Sequence, residues 1–415
     1  MTLRNGSTDL RLAVVSPFVD RRHGTERALA ELLERLARKE HCEVHLYAQR
    51  VGDLALDQTP FTYAQDTGEI IWHKVPTIPG PHFLQFLVWL FLNSFFRAWD
   101  RWVHGVRFDL VVSPGINCLD ADVVIVHALF CRLQELAREE NLASPRLGLL
   151  RRLHQRAYYA LLAGLERRIF THQKVTLAAV SQRTATLLND YFHRQDVLVI
   201  PNGVDTAQFS PSARRALRTE ARRRRQIQET DFVLLLIGND WRVKGLETVL
   251  RALGALQELP IILLAAGDDS PDSFRETAKS LGISERCRFE PSRKDVLDFY
   301  AAADLYVSPS REDSFGLPVA EAMACGMPVI TSLHAGVADL IRDGVDGFIL
   351  RQVDDFHALA QLLRCLQADG LLRGNAGDAA AKATLAWTWD RNAADTWELL
   401  KHAATKKTPS PARRR

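Results

Sequence analysis

Two carboxylates, Asp313 and Glu321, stand eight residues apart in the stretch SPSREDSFGLPVAEAMACGMPVIT, residues 308–331. The pattern predicts a strand ending at Ser308, a loop containing Asp313, and a helix that begins near Pro318 and contains Glu321 about one turn in. The first N–H groups of such a helix attract phosphate. Carboxylates repel phosphate but accept hydrogen bonds from sugar hydroxyls, so the arrangement fits a nucleotide diphospho-sugar. From the spacing alone, the favoured interpretation is that Asp313 caps the helix and Glu321 favours its N-terminus electrostatically.

The elements that must position these acids alternate between strand and helix. An apolar run at 9–18, a helical stripe at 23–39 and a strand at 42–49 form one βαβ unit, and the alternation restarts at 232–240. The interpretation is an α/β protein with two parallel sheets facing a central cleft, where ligands lie beyond the carboxyl ends of the strands. We predict four segments: an acceptor-binding domain at 1–205, a donor-binding domain at 206–384, a helix at 385–405 that packs back on the first domain, and a basic disordered tail at 406–415.

Composition sets limits on partners and compartment. The 415 residues are 47% hydrophobic and 25% charged, with a net charge of +3, so no global field points to nucleic acid. Six scattered cysteines without a CxxC pair indicate thiols in a reducing compartment. The N-terminal residues lack a long apolar core, so no secretion signal is expected. We therefore expect a cytoplasmic protein.

Two segments allow more than one interpretation. His82–Phe96 is strongly apolar but too short to span a bilayer, which needs about 20 residues. It is either a helix facing the core or one that dips into the membrane surface beside Arg97, Arg101 and Arg107. The seven arginines between 214 and 225 are either a polyanion patch or a solvated helix between the two halves, and the second is favoured.

Several segments together resemble a known family. The stretch around Asp313 and Glu321 looks like the donor-site motif of the family 4 retaining glycosyltransferases, which have the GT-B fold. VIPNGVDTAQF (199–209), AAVSQRTATLL (178–188), HGTERALAEL (23–32), KGLETVL (244–250) and TWD (388–390) agree with that family in order. The resemblance is specific in the second half of the chain and looser in the first.

The resemblance implies a role for each matching position. Glu321 would bind the nucleotide ribose, and Asp313, where the family usually has Glu, would contact the donor sugar hydroxyls. Lys244 would neutralise the diphosphate, and His127 would lie beside the transferred sugar, although a histidine at a strand end is otherwise usually structural. The remaining predicted donor-binding residues are Phe315, Gly316 and Leu317, whose amides would face sugar and phosphate; Gly238, Asn239 and Arg242; and Gly24 and Thr25, which open the first helix or form a plain tight turn.

One departure from the family concerns an arginine. Many relatives carry Arg directly after the strand glycine, but here Asn239 follows Gly238, and Arg242 is either its substitute or a solvated side chain. No DxD motif or other metal site is evident, so neither metal nor cofactor is expected.

The chain is interpreted as a retaining, metal-independent hexosyltransferase. It would move sugar from a UDP- or GDP-sugar to a glycan or lipid-linked acceptor in cell-envelope polysaccharide or lipopolysaccharide biosynthesis, with possible peripheral contact at the inner face of the membrane. The alternatives are a non-catalytic nucleotide-sugar binding protein and a GT-B nucleotide-sugar epimerase.

Overall fold

The computed structural model describes residues 10–21, 24–39, 42–52, 54, 70–143 and 149–407. The chain divides into two compact units. The first contains Met1–Pro201 and Trp389–Arg415, and the second contains Asn202–Thr388.

The first unit is built on a parallel sheet. In its described part, seven strands pair in the order β5-β3-β1-β6-β7-β8-β9, and β2 and β4 form a small separate sheet. The strands are β1 Arg11–Val15, β2 Phe18–Val19, β3 Glu43–Ala48, β4 Arg50–Val51, β5 Ile70–Lys74, β6 Leu110–Ser113, β7 Val123–Val126, β8 Thr176–Ala179 and β9 Leu198–Val199. The helices are α1 Gly24–Lys39, α2 His82–Val103, α3 Phe130–Ala143, α4 Leu149–Phe170 and α5 Gln182–Phe192.

The sequence pattern explains the helices on this sheet. The leucine stripe of α1 (Leu29, Leu32, Leu33 and Leu36) is buried, as its spacing predicts. The Oγ of Ser181 accepts the N–H of Thr184 at 3.1 Å, so the predicted N-cap of α5 is confirmed.

The second unit repeats the design. Its described strands form a parallel sheet of six in the order β12-β11-β10-β13-β14-β15. They are β10 Phe232–Ile237, β11 Ile261–Ala266, β12 Cys287–Glu290, β13 Leu305–Ser308, β14 Val329–Ser332 and β15 Phe348–Leu350. The helices are α6 Pro211–Arg224, α7 Leu246–Gly254, α8 Asp272–Ser280, α9 Leu297–Ala302, α10 Leu317–Ala324, α11 Phe356–Ala368 and α12 Gly370–Thr384. Buried aliphatic residues fill β10, β11 and β13, as expected for a sheet covered on both faces.

The last helix, α13 Trp389–Lys407, belongs to the first unit. Asp390 Oδ1 accepts Arg35 Nε of α1 at 2.8 Å, and Lys407 Nζ pairs with Asp122 Oδ2 at 2.7 Å. The predicted tail therefore begins too early, because residues 406 and 407 are helical. Residues 408–415 lie outside the described part of the chain.

The prediction of a solvated helix is wrong for one face of the arginine-rich helix α6, because that face is buried. Arg222 is 1% exposed, and its Nη2 donates to Asp304 Oδ2 at 2.6 Å. Arg225 is also buried and pairs with Glu290 at 2.8 Å. These guanidinium groups keep their charge in the interior because carboxylates and backbone carbonyls accept hydrogen bonds from their N–H groups.

Helix α2 has one buried and one exposed face. Trp89 is 1% exposed and donates through Nε1 to the Asn117 carbonyl at 2.9 Å, while Arg97 is buried and pairs with Asp120 at 2.7 Å. The opposite face carries a stripe of exposed apolar side chains, here called the α2 stripe: Leu84, Leu87, Phe91, Phe95, Trp99, Trp102 and Val103. The core interpretation is correct for the first face but does not account for the second. No described helix combines the length and apolar content needed to cross a bilayer.

Candidate active site

The N-terminus of α10 is open, as the motif predicts. Gly316 occupies the N-cap position with φ +95°, a conformation that favours glycine, and it provides no side-chain cap. Leu317 and Pro318 begin the helix, and Phe315 and Leu317 are buried. Pro318 has no N–H group, and the N–H of Val319 donates to the Gly316 carbonyl at 3.0 Å, so the N–H groups of Gly316 and Leu317 are the ones that can bind an anion.

The loop before α10 is fixed to the segment that follows β14. The N–H of Asp313 donates to the His334 carbonyl at 3.0 Å, and the N–H of Gly336 donates to the Asp313 carbonyl at 2.8 Å. The Asp313 side chain is half-buried. Its carboxylate does not cap α10, so the capping interpretation of this residue is not supported.

Asp313 instead meets Lys244. The Nζ of Lys244 lies 2.5 Å from Asp313 Oδ2, and both side chains are mostly shielded from solvent. Gly245 fixes the position of Lys244, because its φ is +79° and a Cβ there would lie 2.2 Å from the Pro309 carbonyl oxygen. The structure thus brings together two predicted site residues that are far apart in the sequence.

The end of β10 completes this group. Gly238 lies against the Lys244 side chain, and the Oδ1 of Asn239 accepts the N–H of Asp268 at 3.2 Å. Asn239, which replaces the family's arginine, therefore has a structural hydrogen bond between two strand ends. Arg242 is half-buried on the turn before Lys244.

Glu321 lies deeper than the sequence suggests. It is 3% exposed, and its Oε2 accepts the Tyr300 hydroxyl at 2.7 Å. Sequence reasoning missed Tyr300. Nothing in the local pattern of DFYAAADLY marks this tyrosine, because its partner lies 21 residues further along the chain on another helix.

The remaining predicted residues belong to the first unit and follow strands of its sheet. Gly24 and Thr25 begin α1, and His127 follows β7. Burial lowers the pKa of the half-buried His127 to about 4, so its imidazole is neutral near pH 7. Among the described residues it has no hydrogen-bond partner that would hold it structurally.

A buried carboxylate caps the helix that begins shortly after this histidine. Glu166 on α4 is fully buried and accepts the N–H of Phe130 at 2.6 Å and of Cys131 at 2.8 Å. It therefore caps α3, the helix that begins shortly after His127. Burial raises its pKa to about 7 despite these two hydrogen bonds.

The described residues contain no group of three or more His, Cys, Asp or Glu side chains arranged to hold a metal ion. His45 lies two residues after Glu43 on β3. Its imidazole forms hydrogen bonds with Glu43 and with His73, each at 2.8 Å. None of the six cysteines, all of which lie in the described part of the chain, forms a disulfide. Metal independence stays a prediction.

Comparison with known families explains this arrangement. The profile described as Glycosyl transferases group 1 matches residues 218–383, and the profile described as Glycosyltransferase Family 4 matches residues 22–208. The chain belongs to the family 4 glycosyltransferases. The two matches lie mainly in different units, so the family resemblance extends to both halves of the chain.

Individual relatives add detail to the family assignment. A D-inositol 3-phosphate glycosyltransferase of Salinispora arenicola (strain CNS-205) is 32% identical over 247 residues, which are 54% of this chain and 55% of that protein. The chain thus spans about half the length of the curated relatives it matches.

Solved structures agree in fold. WaaG, a glycosyltransferase involved in lipopolysaccharide biosynthesis, superposes with a TM-score of 0.68 at 22% identity, covering 96% of this chain and all of that one. Anabaena Alr3699/HepE in complex with UDP and glucose gives 0.66 at 19% identity, covering 94% and 99%. The predicted GT-B fold class is confirmed.

Proposed function

We propose that this family 4 glycosyltransferase moves a hexose-type sugar from a UDP- or GDP-sugar, with retention and without a metal ion. The observation that carries the proposal is the Lys244–Asp313 pair, 2.5 Å apart, beside the open N-terminus of α10. A cation and unpaired N–H groups suit a diphosphate, while carboxylates suit hydroxyl groups.

The same residues can carry the chemistry. Lys244 would turn from Asp313 to the diphosphate when the donor binds, and with the N–H groups at Gly316 and Leu317 it would stabilise the charge that develops on the leaving phosphate. The released Asp313 carboxylate would then accept hydrogen bonds from the sugar. Glu321 would hold the ribose.

No residue matches a secure nucleophile, so the acceptor hydroxyl would attack from the face the nucleotide leaves, assisted by the departing phosphate oxygen. In the first unit, neutral His127 would contact the sugar or steer the acceptor. The Anabaena protein binds UDP, which supports the proposal of a nucleotide-sugar donor. WaaG is involved in lipopolysaccharide biosynthesis, which supports the proposal of an acceptor from the cell envelope. For this chain, the nucleotide donor and the envelope acceptor are both part of the proposal.

The acceptor is proposed to be a glycan or a lipid-linked molecule at the inner face of the cytoplasmic membrane. The α2 stripe supports this, because Phe91 is 68% and Trp102 is 84% exposed. Exposed aromatic side chains beside basic residues suit an anionic lipid surface, and Arg101 and Arg107 are both exposed near the end of α2. Arg97 does not contribute, since it pairs with Asp120.

The experiment begins with a thermal-shift panel of UDP- and GDP-sugars, in which a ligand of the folded state raises the melting temperature. Stabilising donors are then incubated with membrane extract, with and without EDTA, and the product anomer is assigned by NMR. Metal-insensitive transfer with retention is expected. Binding without turnover would indicate a binding protein, and an isomerised free donor would indicate an epimerase; either result contradicts the proposal.

A further inference from the structure

The buried hydrogen bond between Tyr300 and Glu321 joins two helices of the second unit. Tyr300 lies on α9 and is fully buried, while Glu321 lies on α10 and is 3% exposed. The phenol oxygen lies 2.7 Å from Glu321 Oε2. A carboxylate this deeply buried requires a donor, because an unpaired buried charge is costly.

Tyr300 is the donor in this contact. Its hydroxyl also lies 3.2 Å from the Pro318 carbonyl, but the single phenolic hydrogen favours the shorter contact with the charged acceptor. Burial, and next the proximity of Glu321, raise the pKa of Tyr300 well above its ordinary value. The phenol therefore keeps its proton near pH 7 and can donate it to Glu321.

The surrounding residues hold the tyrosine in place. Phe209 packs edge-on against its ring with centroids 5.7 Å apart, and the Tyr306 ring lies 6.4 Å away. The Nε of Arg214 donates to the Tyr300 carbonyl at 3.2 Å, and Nη2 of the same arginine donates to Ala303 at 2.6 Å. The arginine helix α6 thus fixes the end of α9, and α9 fixes the phenol.

A fixed phenol restricts a flexible acid. A glutamate side chain has three rotatable bonds, and binding to an unrestrained one would cost entropy. Because one carboxylate oxygen of Glu321 is held by Tyr300, the rotation of the carboxylate is restricted before any ligand arrives. We propose that Tyr300 is a positioning residue that presents the Glu321 carboxylate to the hydroxyls of the donor nucleotide. This inference rests on the proposed function, in which Glu321 binds the ribose.

The test compares two tyrosines in the full chain. Tyr300→Phe removes the phenol that bonds to Glu321. Tyr47→Phe is the matched control, because Tyr47 is a buried tyrosine of the first unit whose hydroxyl donates to the buried Asp100 carboxylate at 2.6 Å. Dissociation constants for UDP and GDP are measured by calorimetry, and melting temperatures are measured for both variants.

Both substitutions remove a hydrogen bond to a buried carboxylate, so both should lower the melting temperature. Only Tyr300→Phe should weaken binding of the preferred nucleotide, by about tenfold, as expected for one hydrogen bond to a charged group. Equal weakening in both variants would show a general loss of stability and overturn the positioning role.

Glu321→Gln separates this inference from the function it depends on. If Glu321→Gln weakens nucleotide binding, and adding Tyr300→Phe to it has little further effect, the two residues act together. If Glu321→Gln weakens binding but Tyr300→Phe alone does not, the positioning role is wrong while the ribose role stands. If Glu321→Gln leaves affinity unchanged, the ribose role fails, and the inference fails with it.

Discussion

Lys244 Nζ lies 2.5 Å from Asp313 Oδ2, although 69 residues separate them in the chain. Lys244 lies between β10 and α7, and Asp313 lies between β13 and α10. The strands β10 and β13 are neighbours in the sheet. The parallel order therefore places the ends of both strands at one edge. In this arrangement the ammonium group of Lys244 is paired with Asp313. To bind the donor diphosphate, Lys244 would have to leave that carboxylate.

Replacing Lys244 by methionine tests its electrostatic role. We expect kcat for sugar transfer to fall roughly 100-fold or more, as when one stabilising donor at a developing negative charge is removed. Rates are measured at saturating donor, and the melting temperature is measured alongside, because Asp313 loses its partner. Lys279→Met, on the exposed face of α8, is the control and should leave kcat unchanged. A fall in kcat as small as that of the control would contradict the role.

Asp313 should influence sugar choice more than nucleotide affinity. Asp313→Glu moves the carboxylate one methylene outward to the length usual in the family, so it should alter the ranking of kcat/KM among hexose donors and leave the dissociation constant of the free nucleotide within about threefold. A panel of nucleotide-sugars provides the measurement. Asp313→Asn removes the charge and should slow transfer from every donor. An unchanged ranking in Asp313→Glu would show that the sugar is selected elsewhere.

The sequence predicts the features of the fold that depend on local patterns. The leucine stripe predicts α1, and Ser181 predicts the start of α5, because both signals lie within a few residues of their effect. The open N-terminus of α10 follows from Gly316 and Pro318 in the same way. The donor-site motif is itself local, so it indicates the family without any knowledge of long-range contacts.

Features that depend on distant partners are not predictable in this way. A run of arginines suggests a solvated helix because the sequence does not show that Asp304, 82 residues from Arg222, will lie beside it. The Tyr300–Glu321 bond and the cap that Glu166 provides for α3 are of the same kind. Each depends on packing between helices, and no spacing rule within one segment predicts it.

The capping carboxylate Glu166 should make stability depend on pH. Its pKa rises from an ordinary 4.5 to about 7 in the folded state, so between these values the folded state binds more protons than the unfolded state. The free energy of unfolding therefore falls as pH rises through this window, by about 3 kcal/mol from this group, since one pKa unit corresponds to about 1.36 kcal/mol.

Denaturant unfolding between pH 5 and pH 8 tests this expectation. In Glu166→Gln the decline should be smaller by that amount, whatever the variant's stability at a single pH. Glu139→Gln, at an exposed position of α3, is the control and should keep the slope of the unsubstituted protein. Parallel curves for the unsubstituted protein and Glu166→Gln would show that Glu166 does not titrate in this range.

Membrane contact should depend on the α2 stripe. The Phe91→Asp, Trp102→Asp variant replaces two of its most exposed rings with charges that anionic lipid repels, so it should lose flotation with anionic vesicles while its melting temperature stays unchanged. Trp89 is unsuitable for this test, because it is 1% exposed and Trp89→Asp would disrupt the core. Leu371→Asp, Leu385→Asp adds the same charge at exposed leucines of the second unit, which are 80% and 64% accessible, and should float like the unsubstituted protein. Equal flotation of all three proteins would show that the α2 stripe does not mediate contact with lipid.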